Sequence, residues 1–114
     1  MSFSLKTRKA GTVVILDLSG KLMIGEPVQL LRLTVKQSVA EGSLKFLFNL
    51  GNVNHIDSSG LGELITSYTT IRSRGGDVKL LKLTAKAKDL LQMTKLLTVF
   101  ECFDDEQLAL NSMR

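Results

Sequence analysis

Apolar and polar residues alternate at the start of the chain, and this spacing is typical of a half-exposed β-strand. Residues 3–8 read FSLKTR, with every second side chain apolar or β-branched. Residues 12–18 (TVVILDL) are rich in β-branched side chains, and the KAG sequence between the two segments is suited to a turn. The pattern therefore predicts an antiparallel hairpin over residues 3–18. A loop is expected next, over residues 19–27 (SGKLMIGEP), with Pro27 suited to a first helical turn.

Four later stretches are predicted to form helices. The first spans residues 28–40 and stops before Gly42, and the second begins near residue 58 and closes at Gly75-Gly76. Thr84 is suited to capping a third helix, and Asp104 with Gln107 resembles a capping box that opens a fourth. The apolar positions that define these helices are Val28, Leu31, Val35 and Val39; Leu61, Leu64, Ile65, Tyr68 and Ile71; Ala87, Leu90, Leu91 and Met93, predicted to face inward; and Leu108 with Leu110.

Three short apolar runs between the helices are predicted to be strands. Residues 44–50 (LKFLFNL) are nearly continuously apolar, as in a strand covered on both faces, although periodicity alone also admits a buried helical turn. Residues 77–83 and 98–103 have similar character. The resulting order, β-β-α-β-α-β-α-β-α, predicts an α/β fold with a mixed, mostly parallel sheet, an N-terminal β-hairpin and four helices. The absence of repeats and linkers predicts a single domain over residues 1–114.

Composition and charge argue against two classes of function, membrane association and direct binding to nucleic acid. No apolar run approaches the ~20 residues of a membrane helix, and the N-terminus lacks the apolar core of a signal peptide. The lone Cys102 cannot form an intramolecular disulfide and fits a reducing compartment. These features predict a cytoplasmic protein that does not bind a membrane. The net charge is +4, but the basic residues are dispersed, aromatic residues make up 5% and there is no Trp. Direct binding to nucleic acid is therefore not expected.

Chemistry-bearing residues concentrate in residues 55–64 (HIDSSGLGEL), a predicted loop at the carboxyl end of a parallel strand. A nucleophilic Ser58 would need His55 as its base, but the G-x-S-x-G pattern is absent and a catalytic histidine usually comes from a distant part of the chain. Neither phosphate-binding glycine motif occurs, and the histidine, cysteine and carboxylates lack the spacing of metal ligands. We therefore predict no catalytic residue, no cofactor and no metal site.

A purely structural role is the strongest interpretation that these residues support on their own. Serine or aspartate at a helix N-cap is common and contributes about 1 kcal/mol. Gly60 and Gly62 would let the start of the helix pack closely against the sheet. The pattern does not decide which of Ser58 and Ser59 would cap the helix.

The DSSGLG sequence adds a family resemblance to these possibilities. It follows a short apolar strand and is preceded by the hairpin and the LSGKL turn, and the segments RSRGGDVKLL and FDDEQLAL follow it. In this order they resemble the bacterial anti-sigma factor antagonists, which carry the STAS domain. The resemblance covers nearly the whole chain and implies a binding switch rather than an enzyme.

The resemblance also implies specific residues and partners. In the family, the first serine of the motif is phosphorylated by an anti-sigma factor that is itself a serine kinase using ATP and magnesium, and a phosphatase resets it. The unphosphorylated antagonist binds the anti-sigma factor and releases a sigma factor. In this sequence the phosphorylated residue would be Ser58. The residues expected to contact the partner are Asp57, Ser58, Ser59, Gly60 and Leu61, together with Leu22, Met23 and Ile24.

One segment departs from the family pattern. Many members have a polar or acidic residue shortly after the SG-x-L turn, whereas residues 22–26 here read LMIGE. This apolar segment is expected either to pack over the end of the sheet or to form an apolar patch for the partner. STAS domains also serve as scaffolds and as parts of transporters. The alternative function is therefore a scaffold or transporter-accessory subunit that binds proteins without a phosphoswitch.

Overall fold

The computed structural model describes residues 2–114, which form a five-stranded sheet and four helices. The strands are β1 (Phe3–Ala10), β2 (Val13–Leu22), β3 (Lys45–Ile56), β4 (Asp77–Leu81) and β5 (Glu101–Phe103). The helices are α1 (Glu26–Ala40), α2 (Ser58–Ser73), α3 (Ala85–Met93) and α4 (Glu106–Ser112). This order of elements confirms the predicted one.

The strands lie in the sheet in chain order, with β1 antiparallel to β2 and the remaining neighbours parallel. Successive parallel strands joined by right-handed crossovers place their helices on the same side of the sheet. Accordingly, α1, α2 and α3 pack on one face through Leu31, Leu64 and Leu91, among others. Helix α4, through Ala109, and Met113 directly after it cover the opposite face. The predicted α/β fold class, with a mixed sheet and N-terminal hairpin, is confirmed.

The two central strands are longer than predicted. Strand β2 continues through residues 19–22, for which the sequence predicts a loop, and β3 continues from Leu50 to Ile56. The two extensions pair with each other beyond an irregularity after Asp17, so that Leu22 lies beside Ile56. The hydrophobic pattern missed them because this pairing is carried by backbone groups while several side chains stay exposed. His55 consequently belongs to a strand rather than to a loop.

Several helix and strand boundaries also differ from the prediction. Helix α1 begins two residues earlier than expected, β4 ends at Leu81, and β5 is limited to its last three predicted residues. Thr84 caps α3 as predicted, by accepting a hydrogen bond from the N–H of Ala87. Helix α4 is capped by Asp105 rather than Asp104, because the Asp105 carboxylate accepts from the N–H of Leu108. The inward orientation predicted for Met93 is wrong, since its side chain is 82% exposed.

An ion-pair network joins α4 to the hairpin. Arg8 donates to both carboxylate oxygens of Asp17, at 2.7 and 3.2 Å, and to both of Glu106, at 2.7 and 3.0 Å. Asn49 donates a further hydrogen bond of 2.8 Å to Asp17. The hydrogen bonds from Arg8 are the main cause of a pKa below 3.8 for Asp17 and below 4.5 for Glu106. One arginine thus links β1, β2 and α4.

This network predicts a specific acid sensitivity. Because the folded-state pKa values of Asp17 and Glu106 are lowered, their contribution is complete above the unfolded values and is lost as the pH falls through the folded values. The free energy of unfolding should therefore begin to decline below about pH 5. Arg8→Met should lower it by about 1 kcal/mol at pH 7, since the pairs are partly exposed, and should flatten the acid decline. Urea denaturation between pH 7 and pH 3 measures both effects, and parallel curves for the two proteins would contradict the assignment.

None of the helices in residues 2–114 has the length and apolar character that a membrane span requires.

Candidate functional site at the start of helix α2

Asp57 organises the turn between β3 and α2. Its carboxylate caps the helix by accepting a 2.8 Å hydrogen bond from the N–H of Gly60, and its second oxygen accepts a 3.0 Å bond from the N–H of Ile24. The backbone N–H of Asp57 also donates to the carbonyl of Leu22, at 3.3 Å. These bonds, first that from Ile24 and then that from Gly60, lower the pKa of Asp57. Asp57 therefore ties the end of β2 to the start of α2.

The position of Asp57 corrects the expectation that a serine caps this helix. Ser58 is the first residue of α2, its side chain is exposed, and among residues 2–114 no hydrogen bond engages its hydroxyl. Ser59 follows and is half-buried. The hydroxyl of Ser58 thus faces solvent at the positive end of a 16-residue helix, where added negative charge is favourable.

Gly60 and Gly62 have different environments despite their similar place in the motif. A Cβ at Gly60 would overlap the carbonyl oxygen of Leu22 and would lie 3.0 Å from the Leu22 Cγ. A Cβ at Gly62 would meet nothing within 4 Å. The predicted close packing against the sheet therefore applies to Gly60 alone.

The apolar residues 22–24, at the end of β2 and just beyond it, are divided between core and surface. Leu22 is fully buried, Met23 is half-buried, and Ile24 is 72% exposed. Leu61, also named in the predicted contact set, is buried as well. The apolar side chain of Ile24 is therefore exposed to solvent, whereas Leu22 and Leu61 belong to the hydrophobic core. Packing over the end of the sheet is thus observed for Leu22, whereas a contact between Ile24 and a partner stays a prediction.

An ion pair between α1 and α2, not predicted from the sequence, joins Arg32 to the buried side chain of Glu63. Glu63 is only 4% exposed and accepts hydrogen bonds of 3.1 and 2.8 Å from two nitrogens of Arg32. It lies one turn after Ser59, and both border an open groove of about 430 Å³ that also includes Ile24. Glu63 lies outside the apolar face formed by Leu61, Leu64, Ile65, Tyr68 and Ile71, so the hydrophobic pattern gave no signal that it is buried. The pair fixes α1 against the first turns of α2.

The structure offers little for the catalytic alternatives. No hydrogen bond joins His55 to Ser58 among the described residues, and His55 is exposed on β3. Burial raises the pKa of the Cys102 thiol, which reduces its thiolate fraction at neutral pH. Within residues 2–114, no three His, Cys, Asp or Glu side chains are grouped as metal ligands. The features that stand out at this end of the sheet are an exposed hydroxyl and an exposed apolar side chain.

Comparison with known proteins assigns this arrangement to a family. The sequence profile of the STAS domain matches residues 4–109. The chain belongs to the STAS domain family. One relative of this STAS domain is the anti-sigma F factor antagonist of Paenibacillus polymyxa, which is 26% identical over 102 residues, or 89% of this chain and 86% of that protein.

Two solved structures show the same fold as this STAS domain. An anti-sigma factor antagonist from Mycobacterium paratuberculosis has a TM-score of 0.84 at 19% identity, over 99% of this chain and 95% of that one. The phosphorylated form of SpoIIAA, a Bacillus cell fate determinant, has a TM-score of 0.77 at 20% identity, over 99% of this chain and 100% of that one. The prediction that this chain is a STAS domain related to anti-sigma factor antagonists is confirmed.

The cap of helix α2 leads to a stability prediction for this STAS domain. Asp57→Ala removes the acceptor for two backbone N–H groups, those of Gly60 and Ile24, and should lower the free energy of unfolding by about 1–2 kcal/mol. Asp57→Asn keeps one capping oxygen and should lose less. Urea denaturation at pH 7 measures both variants. Equal stability of wild type and Asp57→Ala would contradict the role given to this carboxylate.

Proposed function

We propose that this STAS domain is an anti-sigma factor antagonist that binds its anti-sigma factor when Ser58 is unmodified and releases it when Ser58 is phosphorylated. The anti-sigma factor is the serine kinase that modifies Ser58, and a phosphatase restores the hydroxyl. The contact surface comprises residues 57–59 and Ile24, with part of Met23, while Leu22, Gly60 and Leu61 hold these residues in place. The action takes place in the cytoplasm, without direct contact with nucleic acid or a membrane.

The observation that carries the proposal is that Asp57 caps helix α2 while the neighbouring Ser58 keeps an exposed hydroxyl. Asp57 provides the helix cap, so the hydroxyl of Ser58 has no structural bond to lose when it is modified. A kinase needs such an exposed hydroxyl, and the fold tolerates its modification because the helix N-terminus favours negative charge. The free energy of unfolding should accordingly change little on phosphorylation.

The same modification has a different effect at a protein interface. A phosphate adds about −1.5 to −2 charges at neutral pH, and it would stand next to the carboxylate of Asp57 and the apolar side chain of Ile24. A partner that packs on these groups must remove water from the dianion. Penalties of a few kcal/mol are typical for such unpaired charge, and each ~1.4 kcal/mol is a tenfold change in affinity. One phosphate should therefore weaken partner binding strongly while changing the free energy of unfolding little.

Phosphate mapping tests the assignment of the site. The protein is incubated with the candidate anti-sigma factor kinase from the same genome, ATP and Mg²⁺, and the modified peptide is located by mass spectrometry. Phosphate on Ser58 is expected in the wild type and in Ser59→Ala, and no phosphate is expected in Ser58→Ala. A partner complex that forms without phosphate ever reaching Ser58 would instead favour the scaffold or transporter-accessory role.

A further inference from the structure

The edge of β3 is left without a strand partner over residues 52–56. Strand β3 pairs with β2 as far as Ile56, but its pairing with β4 stops at Asn49. After Leu81 the chain turns away at Lys82, which has a φ of 58°, and continues into α3. Within the described part of the chain, no strand therefore pairs with residues 52–56 on the side opposite β2. Unpaired strand edges are sites at which an extended segment of another protein can add a strand.

This strand edge borders a groove rather than flat surface. The groove has a volume of about 290 Å³ and lies between residues 53–56 and α3. Its apolar lining consists of Val53, Ile56, Ala87, Leu90 and Met93. Met93 stands at the end of α3 with 82% of its side chain exposed, and a flexible thioether adapts readily to different partner side chains. The groove thus combines main-chain hydrogen-bonding groups with an apolar wall, the two features that recognise an extended peptide.

We propose that an extended segment of the anti-sigma factor occupies this groove, pairing with β3 over residues 52–56 and inserting an apolar side chain against Leu90 and Met93. The inference rests on the proposed function for the identity of the partner. It goes beyond that function because it adds a second contact area, on the α3 side of Ser58, and specifies how that area is recognised.

Continuity and charge indicate which partner segment fits. Ile56 lines the groove and is separated from Ser58 only by Asp57, so the groove adjoins the turn that a kinase must reach to modify the Ser58 hydroxyl. The exposed side chains Lys82, Lys86 and Lys88 lie along the β4–α3 connection and the first turns of α3. Of these, Lys86 lines the groove, as does one carboxylate, that of Asp89. A segment with alternating apolar residues and acidic neighbours complements this edge.

Affinity measurements with a matched pair of variants test the groove. Met93→Glu places a charge against the apolar wall and should raise the Kd for the anti-sigma factor kinase at least tenfold, with an unchanged Tm because Met93 is already exposed. Leu108→Glu makes a comparable change at a 61% exposed position on α4, on the opposite face of the sheet, and should leave the Kd unchanged. If both variants bind the kinase with the same Kd and are phosphorylated normally on Ser58, the groove is not a binding site for the kinase, whereas the proposed function still stands.

A peptide experiment tests the strand edge independently of the kinase. A terminally blocked heptapeptide of alternating glutamate and valine is titrated to millimolar concentration into the ¹⁵N-labelled protein. The backbone amide signals of residues 52–56 should shift, and the same peptide with all of its backbone amides N-methylated should have no effect because it has no N–H donors for the strand edge. Shifts confined to other residues, or no shifts at all, would overturn the inference whether or not Ser58 is phosphorylated.

Discussion

Ser58→Asp is expected to raise the Kd for the anti-sigma factor about a hundredfold, or about 3 kcal/mol, with little change in Tm. The binding loss follows because a carboxylate at this position must be desolvated beside Asp57, which already carries a negative charge. The fold is spared because residue 58 is the first residue of α2 and a negative charge there interacts favourably with the helix dipole. Isothermal titration calorimetry and thermal unfolding measure the two effects separately.

Two control variants isolate the effect of charge at residue 58. Ser58→Ala should bind normally and resist phosphorylation, since it removes the acceptor hydroxyl without adding charge. Thr69→Asp adds the same charge to an exposed position about 16 Å farther along α2 and should leave binding unchanged. If Ser58→Asp unfolds the domain, or if Thr69→Asp weakens binding equally, the account of Ser58 as a local switch is wrong.

Gly60→Ala is expected to destabilise the domain by about 2 kcal/mol or more. The added methyl group would overlap the Leu22 carbonyl oxygen, which is held in place by the N–H of Asp57, so either β2 or the start of α2 must move. Such overpacking typically costs about 1–3 kcal/mol, and the better helix propensity of alanine offsets only part of it. Urea denaturation measures the loss, and weaker partner binding should accompany it because the Ser58 turn shifts.

Gly62→Ala provides the matched control in the same helix. Its methyl group points into open space, so the gain in helix propensity should raise the free energy of unfolding by about 0.5–1 kcal/mol. The two substitutions are chemically identical and two residues apart, but they should have opposite signs. Equal effects would show that the close approach of Gly60 to Leu22 does not govern the stability of this turn.

The order of elements could be predicted from the sequence because each buried element has a clear apolar period. The alternation in β1, the continuous run beginning β3 and the helical spacing in α2 all follow from which faces the sheet covers. The extension of β3 could not be predicted, because residues 51–55 contain glycine, asparagine and histidine and pair through backbone groups. The inward orientation of Met93 was wrongly predicted because helical spacing does not reveal that Met93 is the last residue of α3, where its side chain is exposed.

The candidate site could be located from the sequence, but the roles within it required the structure. The DSSGLG motif identified the turn and, through family resemblance, Ser58. Only the structure shows that Asp57 provides the cap and accepts a hydrogen bond from Ile24, while no group in residues 2–114 bonds to the Ser58 hydroxyl. The Arg32–Glu63 pair depends on the approach of α1 to α2 and has no local signature. The open edge of β3 likewise depends on where its two neighbouring strands end.

The central claim is that one phosphate on Ser58 abolishes partner binding without disturbing the fold. The most direct test compares unmodified protein with protein carrying phosphoserine at position 58, measuring for each the Kd for the anti-sigma factor and the Tm. A Kd at least a hundredfold higher for the phosphorylated protein, with Tm values within about 2 °C, is the predicted result. Equal Kd values, or a large fall in Tm on phosphorylation, would contradict the account.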